Sequence, residues 1–307
     1  MLSGRNAVTL YDAIPAVVDA VNGPGVICRE ADGTERTCRI PARLAGDCDG
    51  GYDLVILFVK DLFSRSALET NRAVIGPDTL LLSLQNGMGN EEIMREFADP
   101  ARILLGTTKH NCVTLAPGEI YHSGAGMTHI GSPVDNRAAA EKVAALFRES
   151  GADAEECDSV RHLLLEKLFV NMTVNPLTAL LDAPIGALAT DPELQAYARA
   201  LIDEAVRVAA ADGERFDAET VFPQLIGTAA ALSTGKASMC QDLEKVQRGI
   251  QEENRQAGKQ RDEFMRQLST VIERLRRDGE ELQTSFRRWA ATTIMCSVAG
   301  ATAASIL

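Results

Sequence analysis

Lys167, Asn171 and Asn175 stand at i, i+4 and i+8, so on a helix their side chains make one polar stripe. Around them, residues 166–183 read E-K-L-F-V-N-M-T-V-N-P-L-T-A-L-L-D-A. Leu165, Leu168, Met172 and Leu180 supply apolar side chains to pack the rest of that helix. Pro176 has no N–H to donate and clashes with the carbonyl four residues back, which predicts a bend. A lysine and two amides beside a bend describe a small polar pocket cut into a helical core. The same spacing also fits an ordinary helix whose exposed face carries a lysine and two asparagines.

Three further positions have surroundings that suit a ligand. Lys60 follows the apolar run 54–59, L-V-I-L-F-V, which reads as a strand buried on both faces of a parallel sheet. Ligands of open α/β sheets collect at such carboxyl ends. Asn86 lies in Gln85-Asn86-Gly87, a turn signal in its own right. Asp12 ends the short apolar run 7–11, where it either accepts from a ribose hydroxyl or caps the next turn.

The four histidines, His110, His122, His129 and His162, lack H-x-x-x-H spacing, and the seven cysteines contain no C-x-x-C. No metal site is therefore expected, and the cysteines read as free thiols in a reducing compartment. A formal charge of −12 argues against a nucleic-acid partner. No charged-apolar-cleavage signal opens the chain, so secretion is not suggested.

A chain of 307 residues with 46% apolar content buries a sizeable core, most simply as two domains. A strand over 7–11, a helix over 14–21 and a hairpin over 26–40 around Asp32-Gly33 come first. The strand at 54–59 is followed by a helix at 64–72, a strand at 79–84, and a helix at 90–97 capped by Asn90. Strands are predicted near 103–108, 119–123 and 127–130, then a helix at 138–148 and a strand at 153–157. Beyond residue 158 only helical periodicity remains, over 162–181, 192–211, 221–232 and from 241 onward. The pattern predicts a Rossmann-like, doubly wound α/β domain over residues 1–158 and an all-helical domain over 159–307.

K-L-x-x-N-x-x-x-N-P-L-T-A-L, from Lys167 to Leu180, resembles the core motif of ketopantoate reductases (2-dehydropantoate 2-reductases). Val59-Lys60, L-Q-N-G-M-G-N-E-E at 84–92 and S-M-C-Q-D at 238–242 fall in that family's order. The likeness runs from about residue 7 to residue 243. It implies NADP(H)-dependent reduction of 2-dehydropantoate to (R)-pantoate, for pantothenate and coenzyme A biosynthesis, by a cytoplasmic homodimer. Lys167 is then the general acid, donating to the oxygen that gains charge. Asn171, Asn175 and Ser238 bind substrate, Ser238 taking the carboxylate. Asn86 sits between substrate and nicotinamide ribose, while Lys60 and Asp12 face the cofactor. An acidic Asp12 would favour NAD, so both nucleotides stay open.

Three features depart from the family pattern. No G-x-G-x-x-G is present, and by comparison about twenty residues are missing: the first strand and glycine loop of a βαβ unit. Ile185 stands after Pro184 where the family has asparagine. Ile250 stands where it has a substrate-binding glutamate, and the nearby Gln251 and Glu252 are rotated about 100–200° on a helix. The alternative reading is a non-catalytic or truncated relative that binds a partner or a membrane.

From about residue 244 the likeness ends. Ile250, Ala257, Phe264, Leu268, Val271, Leu275 and Leu282 predict a long amphipathic helix or imperfect coiled coil, weakened by Gly249, Gly258 and Gly279. Residues 289–307 carry no charge and are long enough to span a bilayer. Their Ala, Thr, Ser and Gly content favours a buried or partner-contacting helix instead.

Overall fold

Short runs of leucine and isoleucine, sending alternate side chains to opposite faces, build the centre of the molecule. The computed structural model describes residues 2–48 and 50–277. Its first stretch contains β1 (Leu10–Asp12), α1 (Pro15–Asn22), β2 (Val26–Glu30), β3 (Glu35–Cys38), β4 (Ala42–Leu44) and β5 (Leu54–Leu57). Next come α2 (Ser64–Thr70), β6 (Leu80–Ser83), α3 (Asn90–Met94), β7 (Ile103–Thr108), β8 (Asn111–Ala116) and β9 (Glu119–Gly124). β10 (Thr128–Gly131), α4 (Arg137–Glu149) and β11 (Ala154–Glu156) complete the α/β part.

Five strands form the main sheet in the order β11-β10-β7-β6-β5. β5, β6 and β7 run parallel, and β10 lies antiparallel to β7. Leu81, Ile103 and Leu105 pack on one face with Leu57, Leu68 and Met94. Leu82, Leu104 and Ile130 pack on the other with Ala140, Val143, Ala144 and Phe147, the i, i+3, i+4, i+7 stripe of α4. Gly106 in β7 has no room for a side chain, because a Cβ would lie 2.4 Å from the His129 carbonyl oxygen.

β3, β2, β9 and β8 make a second sheet, and β1 pairs with β4 in a separate parallel ribbon. β5 is therefore an end strand of the main sheet, with the Tyr52 hydroxyl just before it 3.0 Å from that of Tyr11 in β1. The short strands β4 and β8 were not expected from the sequence. Asn90 does not cap α3: Gly89, at φ +97°, holds that position, and Asn90 is the first helical residue.

The helical part begins with α5 (Val160–Leu181), capped by Ser159, which accepts from the His162 amide. α6 (Ala187–Thr190), α7 (Pro192–Ala211) and α8 (Ala218–Ala231) follow, with Asp191 and Asp217 capping the last two. Leu165, Phe169 and Val174 of α5 pack with Ala198 and Ile202 of α7 and Leu225 and Ala229 of α8. Leu168 and Met172 join that cluster as expected. Leu180 does not: it lies in the last turn of α5 and is 83% exposed.

The chain divides after Ala237 into two compact units. The second unit opens with α9 (Ser238–Arg277), a 40-residue helix that runs through Gly249 and Gly258. Arg255 pairs with Glu252 along its surface. Gly279, Leu282 and the uncharged stretch 289–307 lie outside the described residues. Among the described residues, no helix is long and apolar enough to cross a membrane. Cys28, Cys38, Cys48, Cys112, Cys157 and Cys240 are free thiols.

Candidate active site

Three of the sequence-marked residues gather at the carboxyl ends of neighbouring strands. Lys60 follows β5 and opens the 3-10 turn Asp61–Phe63. Asn86 is exposed on the turn that leaves β6. Lys167 Nζ donates to the backbone carbonyl of Thr108, the last residue of β7, at 3.3 Å. β5, β6 and β7 are parallel, so all three residues lie on the side where open α/β sheets bind ligands.

α5 sets the lysine. Its first turns place Val160 and Leu164 against the main sheet, and its later turns carry Leu165, Phe169 and Val174 into the helical cluster. Lys167 thus falls at the junction, half-buried, with half-buried Asn171 and Asn175 on the same face one and two turns on. α5 continues through Pro176, and Thr173 and Thr178 turn their hydroxyls back onto the carbonyls of Phe169 and Val174.

Burial, and then the neighbouring Lys109 ammonium, hold the Lys167 pKa below the ordinary lysine value. A lysine acting as acid loses activity as it deprotonates, so the alkaline limb of the rate should follow this pKa. Replacing Lys109 by methionine removes the like charge and keeps the stem. That limb should then move to higher pH in a kcat profile; a limb that stays in place would separate Lys109 from the site.

The turn carrying Asn86 is held by a network of amide, hydroxyl and carboxylate groups that the sequence did not reveal. Gln85 Nε2 donates to the Val59 carbonyl and to Ser64 Oγ, and Ser64 Oγ donates to Asn90 Oδ1 at 3.2 Å. Asn90 Nδ2 in turn donates to Asp61 Oδ1 at 3.0 Å. Gly87, at φ +96°, closes the ring, with its position for a Cβ 3.0 Å from Asp61 Oδ2. The carboxyl ends of β5 and β6 are thereby fixed to one another. A neighbouring cavity of about 170 Å³ is lined by Gln85, Gly87, Glu91, Arg161 and Leu164, among others. Buried Glu91 is neutralised there by Arg95 and Arg161. This cavity does not include Lys167 and is well below the ~300 Å³ at which ligand pockets begin.

Two further expected site residues belong to other elements. Asp12 Oδ1 accepts from the Ile14 amide at 2.8 Å, so this carboxylate closes the turn into α1. Ser238 opens α9 in the second unit. For a nicotinamide nucleotide, the ring and ribose end has polar residues available in Lys60 and Asn86. The pyrophosphate end is poorly served among the described residues. The one strand–glycine turn–helix passage near the site is β6–Gly87–Gly89–α3, and Glu91 and Glu92 occupy the first turn of α3. Acidic groups at a helix N-terminus oppose a phosphate there.

Comparison with known proteins places this arrangement. The family model described as Ketopantoate reductase PanE/ApbA matches residues 1–135, and its C-terminal counterpart matches residues 159–248. The 2-dehydropantoate 2-reductase of Halobacterium salinarum is 32% identical over 245 residues, 79% of this chain and 80% of that protein. That of Streptococcus pyogenes serotype M3 is 28% identical over 78% of each chain. Among solved structures, D-mandelate dehydrogenase with NADH and anilino(oxo)acetate superposes with a TM-score of 0.72 at 27% identity. It covers 78% of this chain and 79% of its own. The 2-dehydropantoate 2-reductase of Geobacter metallireducens gives 0.71 at 27% identity, over 80% and 82%. A mixed, mainly parallel sheet followed by a helical part, a lysine at the strand ends and these matched lengths lead to one assignment. The chain belongs to the ketopantoate reductase family and is an oxidoreductase of that type.

Proposed function

We propose that this protein reduces the ketone of 2-dehydropantoate to the alcohol of (R)-pantoate with NADPH or NADH, Lys167 serving as general acid. The observation that carries the reading is the Lys167 amine, half-buried at the carboxyl end of β7 with a lowered pKa. A nicotinamide nucleotide, when bound, supplies the hydride for the ketone carbon. As the C=O π electrons move to oxygen, the Lys167 ammonium donates the proton that this oxygen takes up. Asn171 and Asn175, on the same helical face, hold the substrate's hydroxyl and carboxylate, and Asn86 borders the ribose. Ser238, on the family's motif, takes the carboxylate. In this reading residues 1–158 carry the cofactor, residues 159–307 carry substrate contacts and pair two protomers, and the enzyme works in the cytoplasm. A relative whose structure holds NADH and anilino(oxo)acetate supports a nicotinamide nucleotide beside an oxo acid.

One observation favours a second reading, a non-catalytic relative acting through a partner: Ile250 stands where the family has a substrate-binding glutamate. Thermal unfolding in NADPH and in NADH separates the two. A nucleotide at a hundred times its Kd should stabilise by about 2.7 kcal/mol, and the nucleotide with the larger shift is the working cofactor. Turnover with 2-dehydropantoate, against a panel of other 2-oxo acids, then names the substrate. No shift with either nucleotide at millimolar concentration would leave the non-catalytic reading.

A further inference from the structure

Three residues far apart in sequence form a hydrogen-bonded chain beside the strand end that receives Lys167. Glu30 closes β2 and His122 lies opposite it in the parallel register of β9. Glu30 Oε2 and His122 Nδ1 are 2.6 Å apart, and His122 Nε2 and His110 Nδ1 are 3.0 Å apart. The two imidazoles stack, with centroids 5.2 Å apart. Glu30 also pairs with Arg36 and accepts from Cys28 Sγ. The Arg36 guanidinium, followed by His122, holds the Glu30 carboxyl down at about 2. That carboxylate fixes His122 with its proton on Nδ1. His122 Nε2 then faces His110 Nδ1, one of the two nitrogens donating to the other.

His110 ends the two-residue link between β7 in the main sheet and β8 in the second sheet. Its amide donates to Thr108 Oγ1 at 3.2 Å, and Thr108 Oγ1 meets Thr128 Oγ1 at 3.0 Å. Lys109 N donates to the Met127 carbonyl at 3.0 Å, while Gly126 leaves no room there for a Cβ, which would lie 2.6 Å from Lys109 Cβ. The link is therefore held from several sides, and the Thr108 carbonyl it fixes is the one that receives Lys167. His110 Nε2 is buried without a hydrogen-bond partner. Such an orphan costs free energy, which is tolerated when the rest of the ring is needed for placement.

We propose that Glu30, His122 and His110 are positioning residues for Lys167. The carboxylate orients one imidazole, that imidazole orients the next, and the second fixes the carbonyl on which the amine rests. The proposal rests on the reading of Lys167 as the general acid. The charged and titratable groups facing the chain are Arg36, Cys28 and Cys112 around Glu30 and His122, and Asp153 beside His110. Lys109 is the neighbouring charge that acts on Lys167. Burial, then His122, pushes the His110 pKa down, so the ring is neutral while Lys167 titrates.

The test reads the amine directly. Lysine-labelled full-length protein gives the Lys167 Cε resonance by NMR, assigned by its loss in Lys167→Arg. In His110→Leu and in Glu30→Gln, the freed amine reaches water and its titration should rise toward the ordinary value of about 10.4. Turnover in those variants should drop about 10- to 100-fold, as for a displaced catalytic group. His110→Asn keeps a donor at the Nδ1 position and should retain the original titration. Should His110→Leu fail to fold, Glu30→Gln and His110→Asn still decide the matter. A Lys167 titration unchanged by Glu30→Gln, or shifted by His110→Asn, overturns the proposal. Full turnover in Lys167→Ala would instead overturn the general-acid reading while leaving the NMR result standing.

Discussion

Lys167→Ala should lower turnover of 2-dehydropantoate by about a hundredfold or more, with the protein still folded. Loss of one donor aimed at a developing oxyanion typically costs roughly 3–4 kcal/mol of transition-state stabilisation. The ground state should lose little, because the ketone carries no full charge before hydride arrives, so KM changes much less than kcat. Stability should also change little: the side chain is half-buried and donates to the Thr108 carbonyl. Lys167→Arg keeps a charge but replaces a compact ammonium with a planar fork, and should recover only part of the activity. Steady-state kinetics beside a melting curve measures both quantities. Turnover near wild type would remove the lysine from the chemistry.

The largest stability effect is expected at Leu104→Ala, a loss of about 3 kcal/mol within the usual 2–5 range for a filled core site. Leu104 has no exposure, and β7, which carries it, lies between β6 and β10. Its neighbours Leu82, Ile130, Ala140 and Val143 belong to two other strands and to α4, so no single element can shift to fill the gap. Urea denaturation should show a lower midpoint with an unchanged slope. A loss under about 1 kcal/mol would mean that this face of the sheet is not packed as described.

The sequence made these two positions legible for different reasons. Leu104 lies in an apolar run bounded by turn residues, and such runs carry their own strand signal. Lys167, Asn171 and Asn175 keep their spacing because α5 is one unbroken helix, so a periodicity argument suffices. Other features had no local signal. β8 reads N-C-V-T-L-A with most residues exposed and is an edge strand held by its hairpin with β9, while β4 is three residues long and exists through pairing with distant β1. Asn90 resembled a cap, yet its amide is taken up with Asp61 and Ser64, and a left-handed Gly89 starts the helix instead. The spacing of the histidines in the sequence bears on metal binding alone. His110 meets His122 through the β8–β9 hairpin, and the β2–β9 register sets Glu30 against His122, a pairing that no run of adjacent residues encodes. Leu180 is exposed in the last turn of α5, because helical spacing gives a direction without saying what packs there.

The register between β2 and β9 also bears on how the chain is made. β5, β6 and β7 pair in the order of synthesis, so the main sheet can zip up as each strand leaves the ribosome. β2 must wait: the Glu30–His122 contact closes a loop of 92 residues. Closing so long a loop late places the second sheet at the slow end of assembly. Protection of the β2 amides from hydrogen exchange is accordingly a clock for completion of the nascent domain.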